Sequence, residues 1–212
     1  MKSRFLIFCI TYVSFWACSP GKENVQPAGT GETTQLDNIA PCPQRYFYKD
    51  GQKTFPHVID TMVWLGFNNS TPSAKANVLA GFSFLKPVDT FIVNNLNMFF
   101  VRFKNQEDCH SIKAKIALME QNPDVAFVSP VFGDASWSIS DEFIVKLKAT
   151  NQYPLLQQLA QANNCNINSQ LNDLTYSLTV NKASSKDALD MANLFIETGN
   201  FDFAEPNSYY FK

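Results

Sequence analysis

Few residues in this 212-residue chain are of types that could do covalent or acid–base chemistry. There are two histidines, His57 and His110, and five cysteines. Cys109-His110 sets a thiol beside an imidazole, the pair that a cysteine nucleophile needs. Neighbours in a helix point about 100° apart, so these two would not face each other. Gly81-Phe-Ser83-Phe-Leu85 begins like a Gly-x-Ser-x-Gly nucleophile elbow but ends in Leu, and it falls at a helix end instead of after a strand. Serine-protease chemistry requires a nucleophile, a histidine base and an orienting carboxylate together. Neither histidine stands in such a context. No phosphate-cradling loop occurs among the eight glycines. No Cys-x-x-Cys occurs, so a structural zinc site lacks its usual ligand spacing. Glu107-Asp108 matches the charge preference of a helix start. The expectation is a chain without cofactor, metal site or catalytic residues, which acts by binding.

The elements that carry these residues fall into two similar halves. Tyr46-Phe-Tyr-Lys-Asp-Gly51 and the run to Val58 read as a β-hairpin, since Asp-Gly between aromatic-rich runs favours a two-residue turn. A strand follows over 61–67. A helix to about Phe82 starts with Thr71 as N-cap and Pro72 at its first position. Further strands over 90–93 and 98–103, a helix over 108–121 and a strand over 125–128 complete the first half. The second half repeats the order: strand 142–148, helix 152–163 capped by Asn151, strands 166–171 and 174–180, helix 185–197, strand 201–205. Ser184 with Asp187 resembles a capping box, and Gly199 suits the position just past a helix. This order predicts an α+β fold of tandem ferredoxin-like βαββαβ units preceded by a β-hairpin. Each unit of about 75 residues would be marginal alone, so the pair is expected to pack together, with 133–140 as the junction.

Composition supports that picture. Hydrophobic residues make up 45% of the chain and 19 residues are Phe, enough for a core. The net charge of −2 leaves no basic face for nucleic acid. Residues 1–18 read as a targeting segment, with Lys2 and Arg4 ahead of an apolar run too short to span a bilayer. The run closes on Ala17-Cys18 and resembles a bacterial lipoprotein signal, which implies lipidation at Cys18. Residues 19–44 form a polar tether. The expected location is the cell envelope, with the folded part held beside a membrane (the outer membrane or cell surface) by its lipid. The domain expectation is thus signal 1–18, linker 19–44, hairpin with first unit 45–133, and second unit 134–212. Among Cys42, Cys109 and Cys165 one disulfide is possible, with the pair undecided by sequence.

The wording of the second half is narrower than its fold. Asp141-Glu-Phe-Ile-Val-Lys-Leu-Lys148, Leu155-Leu-Gln-Gln-Leu-Ala160, Asp187-Ala-Leu-Asp-Met-Ala-Asn-Leu-Phe195 and Ala204-Glu-Pro-Asn207 together resemble the N-terminal propeptide region of bacterial subtilisin-like serine peptidases of the lipoprotein type. In that family a catalytic domain follows, whereas this sequence stops at Lys212, and the catalytic Asp, His and Ser have no counterparts. The resemblance implies the propeptide's own role. Its sheet face would pack on a subtilisin-like peptidase, and its C-terminal tail would lie in the substrate cleft. The partner-binding residues so implied are Ala204, Glu205, Pro206, Asn207, Tyr209, Tyr210, Phe211 and Lys212. Alternative expectations are a truncated relic of such a precursor and a surface adhesion module with no peptidase partner.

Overall fold

The described residues form ten strands, four α-helices and a 3₁₀ turn. The structure is a computed structural model that describes residues 43–212 apart from 69–70, 87–90, 94–97, 134–135 and 211–212. The opening hairpin pairs β1 (Phe47–Lys49) with β2 (Gln52–Thr54). Its turn has Asp50 and Gly51 at φ 52° and 74°, the left-handed conformation that Asp-Gly tolerates. The first unit then runs β3 (Val58–Phe67), α1 (Pro72–Ala80), β4 (Phe91–Val93), β5 (Met98–Arg102), α2 (Cys109–Glu120) and β6 (Val125–Phe132). The second runs β7 (Trp137–Leu147), α3 (Tyr153–Ala162), β8 (Asn166–Asn172), β9 (Thr175–Thr179), α4 (Ala188–Glu197) and β10 (Phe201–Tyr210).

Pairing confirms the expected α+β fold of tandem ferredoxin-like units. The first unit has the strand order β6-β3-β5-β4 and the second β10-β7-β9-β8. In each, the first and third strands are central and both helices connect across them. The units are joined where the edge strand β6 turns back onto the start of the central strand β7, through Val131↔Ser138 and Phe132↔Trp137. Gly133 makes that turn at φ 73°, where an L side chain would be strained. The result is one eight-stranded sheet rather than two sheets stacked face to face.

Strand alternation decides where the cores sit. In β3, Val63, Leu65 and Phe67 point to the helices and pack with Val101, Phe103, Ile112 and Met119. In β7, Phe143, Val145 and Leu147 do the same with Leu156, Ala160, Met191 and Phe195. Each fully buried side chain of this size contributes about 2 kcal/mol. A smaller cluster at the seam, Phe132, Ile139 and Leu189, is roofed by Phe47 of the hairpin. The hairpin is fastened to α4 by polar contacts as well. The Arg45 guanidinium meets both Asp187 carboxylate oxygens at 2.6 Å, and Asn193 Nδ2 donates to Tyr46 O at 2.7 Å.

Local signals were mostly legible. Thr71 caps α1, with its hydroxyl accepting from Ala74 N, and Gly199 follows α4 at φ 72°. Asp108 caps α2, accepting from Ser111 N at 2.7 Å. Five readings need correction, the first being that β7 starts at Trp137 and not at Glu142. Asn151 does not cap α3 but lies inside a 3₁₀ turn, Thr150–Gln152. Ser184 does not cap α4. Asp187 does, and Ser184 instead donates to Asn164 O in the preceding turn. β6 does not end at Val128, since it passes through Pro130, whose carbonyl accepts from the Ser138 hydroxyl at 2.7 Å. The last strand does not end at Glu205 but continues to Tyr210.

Candidate functional site

The sheet has one face covered by helices and one face without them, and the helix-free face changes character at the seam. Over the first unit it is apolar and buried, with Trp64, Phe100, Phe127 and Val131 joined by Met62 and Met98. Over the second it is polar. β7 contributes Ser138, Ser140, Glu142, Ile144 and Lys146, the residues that alternate with its helix-side Phe143, Val145 and Leu147. β9 contributes Thr175, Ser177 and Thr179 opposite them, and β10 contributes Phe203, Glu205 and Tyr209.

Glu142 is the centre of this face. Its Oε1 accepts from the Ser177 hydroxyl at 2.5 Å and its Oε2 from Asn207 Nδ2 at 2.6 Å. A carboxylate with both oxygens held by neutral donors is fixed in place. The neighbouring Asp141 carboxyl is pushed above its ordinary value by burial. Tyr209, beside Ser140, has its phenol pushed up by burial first, then by the charge of Glu142 and, less, of Asp141. Sequence reading passed over Glu142 because it looked like one of the charges alternating along a strand. The signal was its phase: Glu142, Ile144 and Lys146 share the face opposite Phe143, Val145 and Leu147.

The implied partner-binding tail is a strand. Ala204 pairs with Val145, Glu205 with Ile144, Pro206 with Phe143, Tyr209 with Ser138 and Tyr210 with Trp137, with shifts in register around Asp202 and Asn207. Ala204 is 1% exposed. Glu205 has its carboxyl raised by burial, which outweighs a backbone hydrogen bond from Asp50. Tyr210 is 73% exposed and stacks on Trp137 with centroids 6.3 Å apart. The residues from Ala204 to Tyr210 are therefore not a loose end. Phe211, Lys212 and the lipidation candidate Cys18 lie outside the described residues.

The remaining chemical candidates are dispersed. Cys109 is disulfide-bonded and so is no nucleophile. Cys165 is a buried free thiol raised to about 11 by burial. Ser83 lies in a turn after α1. Glu107, at the start of α2, is lowered by hydrogen bonds from Lys115 and then Ser111, so it forms a local ion pair as well as meeting the helix start. Among the described residues no group of three or more His, Cys, Asp or Glu could hold a metal ion, and no helix is long and apolar enough to cross a membrane.

Comparison with known proteins adds little to this description. No protein-family model matches the chain, and no curated protein matches it. Among solved structures, the acetolactate synthase small subunit of Thermotoga maritima is similar over 72% of this chain and 97% of its own, at 12% identity and TM-score 0.29. A protein described as a candidate glycine cleavage system transcriptional repressor is similar over 74% and 98%, at 9% identity and TM-score 0.23. Scores this low carry no argument about function. The strand orders define the class, a pair of ferredoxin-like units in one sheet.

Proposed function

We propose that this chain is a non-catalytic binding protein, tethered to the cell envelope through Cys18, that docks on a subtilisin-like serine peptidase in trans. The observation that carries the reading is the contrast between the two helix-free sheet faces. The first is apolar and buried, whereas the second presents a fixed carboxylate with partly exposed Ile144, Lys146 and Phe203 around it. A sheet face of that kind can take a partner surface, with the Glu142 side chain held in place at its centre. The fold also limits how the tail can act. Drawing Ala204–Tyr210 into a substrate cleft would strip β10 from β7 and expose Phe201 and Ala204 to water. Docking therefore uses β10 in place, with the exposed Tyr210 end entering first.

The test is inhibition. Protein starting at residue 19 should slow a subtilisin-like peptidase from the same organism. Ile144→Glu with Phe203→Glu should weaken it, and so should removal of 210–212. Failure to bind or slow any such peptidase overturns the proposal. Recovery of a dominant envelope partner without a peptidase domain would favour an adhesion module. An intact catalytic reading frame directly downstream would favour the relic.

A further inference from the structure

The far edge of the second unit carries less protection than the β10 edge: no charge, no proline and, among the described residues, no covering strand. Exposed edge strands are blunted by charged residues, proline, β-bulges or a covering segment, because their outer N–H and C=O groups invite another strand. At the β10 edge, Asp202 and Glu205 stand on the strand and the hairpin tip reaches Glu205. β8 reads Asn-Ile-Asn-Ser-Gln-Leu-Asn over 166–172, without a charge or a proline, and is exposed except at the half-buried Ile167. Among the described residues it pairs only with β9. Its two register shifts, after Ile167 and after Gln170, twist the strand.

A trough runs beside that edge. Tyr153, Gln157 and Gln161, spaced four apart on α3, form one wall. β8 forms the other. The space between them consists of two open cavities of about 610 and 480 Å³ that share Tyr153 and Ile167. No Lys, Arg, Asp or Glu lines either one. One end is closed by the turn at Asn164 (φ 54°), whose carbonyl accepts from Asn181 Nδ2 at 2.6 Å and from the Ser184 hydroxyl at 2.8 Å.

We propose that this trough binds an extended, uncharged segment of a partner polypeptide, which adds to the outer edge of β8 as a further strand against the α3 wall. The chemistry of the two walls selects that occupant. An edge strand offers donors and acceptors at strand spacing, which an added peptide matches and a helix or sugar does not. Side-chain amides at Gln157 and Gln161 can pair with main-chain amides in both directions. A charged segment would lose water and gain no counter-ion. Alternate side chains of the guest meet Tyr153, Ile167 and Ala160, so small apolar residues or threonine fit there. This site is separate from the Glu142 face and stands whether or not a peptidase docks there.

The probe is an end-capped heptapeptide of alternating valine and threonine, added to isotope-labelled protein starting at residue 19. Amide shifts should concentrate in 166–172 and 153–161. Methylating the peptide nitrogens that face β8 should weaken binding about tenfold for each bond of roughly 1.4 kcal/mol removed. Replacing the inward valines by lysine should abolish it, and Gln157→Arg should weaken it while leaving the Tm unchanged. Shifts elsewhere, indifference to N-methylation, or binding of a chitooligosaccharide at these residues in place of the peptide would overturn the proposal.

Discussion

Tyr209, near the end of β10, lies over Trp64 in β3 with ring centroids 6.1 Å apart and planes inclined by 30°. Two strands, β6 and β7, run between them, and each presents a small buried residue there, Ser129 and Ser138. The serines leave the room through which the rings meet, so the last strand of the chain braces the first strand of the opposite unit. Tyr209→Ala should therefore lower stability to urea by about 2 kcal/mol, a large-to-small loss moderated by partial exposure of the ring. Tyr209→Phe keeps the ring and should stay within about 0.5 kcal/mol of the parent. An Ala variant as stable as the parent would mean that the seam is held by β6–β7 pairing alone.

Asp187 does two jobs that one substitution can separate. It caps α4 by accepting from Asp190 N at 3.1 Å and receives Arg45 from the hairpin. Burial alone would lower the pKa of Arg45, but Asp187 and then Asp190 outweigh it, so the guanidinium stays charged. Asp187→Asn keeps a competent cap and should cost about 1 kcal/mol. Asp187→Ala removes both and should cost about 2 to 3 kcal/mol. In both variants residues 45–57 should exchange amide hydrogens faster, because the hairpin loses its anchor on α4. Unchanged exchange in the Ala variant would show that Phe47 and Asn193 suffice.

Cys109 and Cys165 should separate by chemistry. Cys165 is buried with its thiol raised to about 11, so at pH 7 to 8 it is neutral and covered. Iodoacetamide should leave it unmodified in the native protein and modify it once urea unfolds the chain. Cys109 should become reactive only after reduction, as it is disulfide-bonded. Mass spectrometry of the two labelling regimes distinguishes these sites, and native labelling of Cys165 would contradict its burial.

What the sequence disclosed followed from rules that act over a few residues. Thr71-Pro72, Asp50-Gly51 and Gly199 could be assigned in advance because caps and turns depend on local backbone geometry. Strand order was legible from the repeat. The limits of β7 and β10 were not, because Trp137-Ser-Ile-Ser140 and Asn207-Ser-Tyr-Tyr210 are held in strands by each other and by the seam. Neither run carries enough alternation to stand alone. The same holds for the polar face. Glu142, Ser177 and Asn207 are distant in sequence, and only the β10-β7-β9 order brings them together.

Gly66 offers the sharpest test of the first unit's helix-free face. It pairs with Phe127 across β3 and β6, and a Cβ added to it would stand 2.4 Å from Cε1 and 2.9 Å from Cδ1 of that ring. The glycine lets the aromatic ring lie flat over the strand, a device that restores packing where a strand carries no side chain. Phe127 is 9% exposed and packs with Trp64, so it has little room to move aside. Gly66→Ala should cost about 1 to 3 kcal/mol through overpacking, even though alanine suits a strand backbone better than glycine. Pairing it with Phe127→Leu should recover part of that loss, since the smaller side chain leaves room for the methyl group. A double-mutant cycle by urea unfolding measures the coupling. Strict additivity would mean that Phe127 can swing away, and that this face is looser than its burial implies.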